Sequence, residues 1–276
     1  MIRLLQIEFQ KLWQNKMSKV LIYISFILPF SILILSSLKI NFFGYFTLDL
    51  SETKIFEFPY IWHITTFFVA YFKIFFAIIV VFMIGNEYSN RTLKQNLIDG
   101  LSKKELILSK FIFIISYCLL MTFVVFVITL IIGIFNTPSQ DIYFDTVFSG
   151  SEFIVAYFFK ILAFFCFCLF AAVLAKRSVF ALALLFVVNI VEWIAYLLLR
   201  FKFFDEQTAD NIAQFFPFTA THNLINEPAS RIVSLHEPTN AIVTDYAVHW
   251  YEIAIASGWI FLYIFFSYKL LKRRDL

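Results

Sequence analysis

The chain has 276 residues, 61% of them hydrophobic and only 15% charged, with 39 phenylalanines and a formal net charge of +3. A soluble domain of this length needs more polar surface than that composition supplies, and the lysines and arginines form no basic face for a nucleic acid. Several apolar runs instead reach the ~20 residues that cross a bilayer, which makes the chain a polytopic all-α membrane protein.

Residues 1–19 precede the first apolar run. Ile2, Leu5, Phe9 and Leu12 recur at helical spacing, with Arg3, Gln6, Gln10 and Gln14 on the other side and Trp13 as an interfacial aromatic. The pattern predicts an amphipathic helix at the membrane interface, in contact with membrane lipids, or the same helix packed on a cytoplasmic subunit. The run that follows is too long for a signal peptide and reads as a retained first span.

Six spans are expected, at about 20–40, 61–84, 109–134, 153–175, 178–199 and 247–268. Helices satisfy their backbone internally in hydrocarbon, and the strict alternation of a membrane barrel is absent. Between the spans, one set of segments holds fifteen lysines and arginines and the other five. Excess positive charge marks the cytoplasmic side, so both termini are expected there. Residues 200–246 become a long extracytoplasmic segment, rich in Phe and carrying Pro217, Pro228 and Pro238, with room for re-entrant helices.

The polar interruption at 85–108 carries the densest punctuation in the chain. Thr92 precedes Gln95 by three residues, and Ser102 precedes Glu105 by three. Each pair fits a capping box. Gly100 lies between them, suited to end a helix with positive φ. The expectation is a short helix from about Leu93 to Asp99, a sharp corner, and a new helix just after Ser102. Leu93 and Leu97 share one face, and a helix this short needs support from its neighbours or a partner.

Three ionisable residues fall inside spans: Lys73 in span two, Lys160 in span four and Glu192, near Asn189, in span five. Such charges are costly and face a partner or a polar cavity. Lys73, Asn189 and Glu192 are therefore expected to line a pathway or to form a buried pair, and Lys160 to snorkel outward. Cys118, Cys166 and Cys168 read as small buried hydrophobes. Neither a phosphate-binding glycine loop nor a metal-ligand spacing is present, so no catalytic or metal-binding residue is assigned.

The run Glu87-Tyr88-Ser89-Asn90-Arg91-Thr92-Leu93, followed by Gly100-Leu101-Ser102-Lys103-Lys104-Glu105-Leu106 and Lys110, resembles the signature after the second span of ABC-2 type permeases, the membrane subunits of ATP-binding cassette transporters. Glu8-Phe9-Gln10-Lys11-Leu12 resembles the interfacial elbow of that family, and Phe215-Phe216-Pro217-Phe218-Thr219-Ala220 the region before its sixth span. The resemblance implies a single transmembrane domain, residues 1–276, in the cytoplasmic (inner) membrane of a bacterium. It makes the short helix a coupling helix seated on a separate nucleotide-binding subunit. ATP and Mg2+ would sit on that partner, and this chain would bind no cofactor. The polar candidates for the contact are Glu87, Arg91, Lys94, Asp99, Lys103, Lys104 and Glu105, carried on a frame of Thr92, Leu93, Leu97, Gly100 and Ser102, with Glu8 and Lys11 in the elbow. A second permease subunit, identical or homologous, is implied as well. The expected activity is export of an amphipathic, lipid-like, drug or peptide substrate through an apolar lining. An ion-gradient-driven secondary transporter, an intramembrane enzyme and a sensory or immunity membrane protein are the alternatives.

Overall fold

The computed structural model describes residues 2–36, 40–42, 46–48, 54–90, 92–229, 231 and 245–274. It opens with α1 (Ile2–Gln14) and α2 (Lys16–Ser36). Between them Asn15 turns the chain, its side-chain oxygen accepting from the Met17 amide at 2.9 Å and the Ser18 amide at 3.5 Å. An Asx residue competes with the helical backbone in this way, so the amphipathic helix ends at Gln14 rather than near residue 19 and the first span begins four residues earlier than expected. The helix ends at Ser36, and Ile40–Phe42 pairs antiparallel with Phe46–Leu48 where the span was expected to finish.

The second span is not one helix. It consists of α3 (Tyr60–Tyr71) and α4 (Lys73–Ser89), bent by 40° at Phe72. Neither Pro nor Gly stands at the break, which is why the expectation of an unbroken run over 61–84 failed. Then come α5 (Thr92–Ile98), α6 (Lys103–Asn136), α7 (Phe144–Phe148), α8 (Glu152–Ala175), α9 (Ser178–Leu198), α10 (Glu206–Ala213), α11 (Pro217–Asn223) and α12 (Trp250–Arg273). Among the described residues five helices are long and apolar enough to cross a membrane, and the bent α3–α4 pair adds a sixth if it counts as one span. At 34 residues, α6 is about 51 Å long, well beyond the ~30 Å of hydrocarbon.

The bundle is built around α8. Ala156, Ala163, Cys166, Cys168, Ala171 and Ala172 are all fully buried on it. Small side chains let neighbouring helices approach closely, which is how membrane helices gain packing energy. The three cysteines are free and buried, as expected of small hydrophobes. A second close approach joins α4 to the start of α9, where a Cβ on Gly85 would lie 2.1 Å from the Ser178 hydroxyl.

Candidate functional site

Two polar regions interrupt the apolar bundle. One lies at the end that carries α1, α5 and the basic C-terminal residues, and the other lies towards α10 and α11.

At the basic end, α5 is held by two local devices. The Leu101 amide donates to the Asn96 carbonyl at 3.0 Å and the Gly100 amide to the Leu97 carbonyl at 3.2 Å, with Gly100 at φ +96°. This is the double bond of a Schellman motif, and it requires the left-handed conformation glycine adopts freely. The next helix starts on the expected capping box: the Glu105 amide donates to the Ser102 hydroxyl at 3.1 Å, and the Ser102 amide to the Glu105 carboxylate at 2.9 Å. The Ser102 hydroxyl and amide hold the Glu105 carboxyl below its usual range. The box is thus complete above the ordinary carboxylate range and is lost as pH falls through the lowered value. Replacing Ser102 by Ala is expected to cost about 1 kcal/mol in thermal unfolding.

The other expected box does not form as drawn. Thr92 is the first residue of α5, not the residue before it, and its hydroxyl donates back to the Glu87 carbonyl at 3.5 Å. Arg91 lies outside the described residues.

Beneath α5 sits a buried charge cluster. Lys110 of α6 donates to Glu8 of α1 and to Glu87 of α4, each at 2.6 Å. Lys11 donates to Glu87 at 3.0 Å and lies 3.7 Å from Glu8. Burial works against the Lys11 ammonium, but the Glu87 and Glu8 carboxylates outweigh it and hold its pKa above the ordinary lysine value. The inward face of α1 is therefore Leu5, Glu8 and Leu12, while Trp13 is exposed. A simple amphipathic reading puts Glu8 on the wet side. Beside the cluster, Lys11, Asn86, Glu87, Gln95 and Asp99 line a cleft of about 400 Å³ between α1, α4 and α5.

The second region is an open-sided cavity of about 780 Å³ lined by residues of α4, α8, α9, α10, α11 and α12. Glu192 of α9 accepts from the Phe218 amide at 2.9 Å and the Thr219 amide at 3.1 Å, the first turn of α11. Lys160 of α8 donates to the carbonyls of His222 and Ile225 at 3.1 and 3.2 Å, at the other end of the same helix. A carboxylate on the amide end and an ammonium on the carbonyl end both oppose the helix dipole. Lys73 instead stands over the Phe164 ring, 4.4 Å from its centroid.

The profile of the ABC-2 family transporter protein matches residues 4–192, more than half the chain. The chain belongs to the ABC-2 family. No curated protein and no solved structure matches it. In this ABC-2 permease the matched stretch takes in α1, the charge cluster, α5 and the break at Phe72, and it stops at Glu192.

The structure sorts the expected site residues of the permease into two groups. Lys94, Asp99, Gly100, Ser102, Lys104 and Glu105 are exposed. Glu87 and Leu93 are buried, so neither presents a surface to a partner, and Leu97 is half-buried. Lys103 turns inward to the Arg274 carbonyl at 2.9 Å. Lys73, Asn189 and Glu192 do line one cavity, but Glu192 is bound to α11 rather than to Lys73. Lys160 does not snorkel; it is buried under α11. Asp210, Glu252, Asn223 and Asn226 also join the cavity wall, polar groups that the expected apolar lining did not include. Two features escaped the sequence reading. Lys110 counted as a positive charge near a span and as the end of the signature run, with no buried partner assigned to it, and Ile98, 74% exposed on α5, had no periodic partner to mark it.

Proposed function

We propose that this permease is the membrane-spanning subunit of an ATP-driven exporter, with its basic end in the cytosol and α5 seated on a separate nucleotide-binding subunit. The observation that carries the reading is the construction of α5. It is closed by a Schellman motif, followed at once by a capping box, and backed by the buried cluster, so a push on it reaches α1, α4 and α6 together. A free loop would absorb such a push. Its outward face presents Ile98 beside Lys94 and Asp99, an apolar anchor with a polar rim, the usual anatomy of a contact that binds tightly. ATP and Mg2+ belong to the partner, and a second permease subunit, identical or homologous, completes the route.

The test is an ATPase purified together with the permease from its native membrane. Ile98→Asp is expected to weaken that association by about 2 kcal/mol, roughly thirtyfold, with ATP turnover falling in parallel. Because Ile98 is 74% exposed, the thermal stability of the permease alone should move little. Unchanged assembly and turnover in the variant would remove α5 from the interface.

A further inference from the structure

Four of the charged side chains on the wall of the large cavity are already engaged. Glu192 is held by the α11 amides and Lys160 by two carbonyls. Glu252 accepts from the His249 amide at 3.4 Å, and Asp210 from the Tyr196 hydroxyl at 2.8 Å. Among the described residues Lys73 joins no ion pair and no hydrogen bond; its one contact of note is the face of Phe164.

Its position makes that unusual. Lys73 stands midway along the α3–α4 span, at the residue after the break, and shares the cavity wall with Lys160. A cation at such depth is costly unless something answers its charge. Broken helices at mid-membrane depth are where membrane proteins build ligand sites. The wall that Lys73 shares also carries neutral amides from Asn189, Asn223 and Asn226 and the aromatic side chains of Trp193 and Phe218. Its size lies in the ~300–1,000 Å³ range of small-molecule sites.

We propose that this cavity binds the phosphate head group of an anionic amphiphile, with Lys73 as the direct ionic contact, the asparagine amides as further donors to its oxygens, and Trp193 and Phe218 against its apolar part. An ammonium is a compact point charge suited to phosphate. The inference deepens the transport reading by naming a ligand class. Its test uses no ATPase, so its failure leaves the docking of α5 untouched.

The full chain in a maltoside detergent is titrated with dihexanoyl phosphatidic acid, with the net-neutral dihexanoyl phosphatidylcholine, and with inorganic phosphate, and bound species are counted by native mass spectrometry. Phosphatidic acid is expected to bind one to one, about tenfold or more tighter than phosphatidylcholine. Lys73→Met should weaken it by a similar factor, while Lys73→Arg stays within about threefold. Should Lys73→Met fail to purify, Asn189→Leu removes a neutral donor without touching charge and is also expected to weaken binding. Inorganic phosphate competing at equal affinity would identify a free anion as the source of the group, and weaker competition a lipid head group. Equal binding of the two lipids, or wild-type affinity in the Lys73→Met and Asn189→Leu variants, overturns the proposal.

Discussion

Replacing Lys110 by Met is expected to destabilise the permease by about 3–5 kcal/mol, the usual consequence of breaking a buried ion pair from one side. Lys110 is 1% exposed and supplies a hydrogen bond to each of two carboxylates that are themselves buried. Without it, Glu8 and Glu87 face each other with only Lys11, a half-buried side chain, to balance them. The second Glu87 oxygen already has no hydrogen-bond partner, so the site holds no spare donor to take over. The penalty should appear in thermal unfolding of the detergent-solubilised chain and as early loss of α1 from the bundle, read by hydrogen exchange over residues 2–14. A triple variant separates pairing from packing. Changing Glu8 and Glu87 to Gln together with Lys110→Met removes every charge that Lys110 answered, and most of the lost stability should return. If Lys110→Met unfolds at the wild-type temperature, the cluster does not hold α1 in place.

The same cluster shows what a sequence does and does not disclose. Gly100, Ser102 and Glu105 were readable because their partners lie within five residues, and the chemistry of a cap is complete in so short a stretch. Apolar run lengths located the spans for a similar reason, since hydrocarbon thickness sets them directly. The partners of Lys110 lie 102 and 23 residues away in the chain, and no local pattern brings them together. Thr92 fits the box pattern as well as Ser102 does, yet the helix begins on it rather than after it, because the pattern alone does not fix where the first turn closes. The break at Phe72 carries no Pro or Gly signature, so the step that puts Lys73 on a cavity wall was invisible. Lys160 and Glu192 were marked correctly as anomalous. Their partners are backbone groups of a short helix and of the turn after it, 26 to 65 residues further on, and backbone leaves no trace in side-chain identity.

That short helix gives the other large effect. Replacing Glu192 by Leu is expected to destabilise the seating of α11 by about 2–6 kcal/mol, because the Phe218 and Thr219 amides lose their acceptor and each unsatisfied amide costs about 1–3 kcal/mol. With seven residues, α11 is far too short to persist without outside support. Glu192 grips its amide end, Lys160 its carbonyl end, and Trp259 of α12 donates to the Phe215 carbonyl at 3.0 Å just ahead of it. Losing the amide-end grip leaves Lys160 holding a helix whose first turn is free to open. Hydrogen exchange of residues 217–223 should therefore accelerate by roughly thirtyfold or more, with α8 and α4 unaffected. Glu192→Gln keeps one acceptor oxygen on a side chain of the same shape and should restore much of the protection. Wild-type exchange in the Leu variant would mean that α11 is held by its apolar contacts, such as Phe218 against Phe164 and Phe167, and that the carboxylate in the fifth span serves the cavity rather than α11.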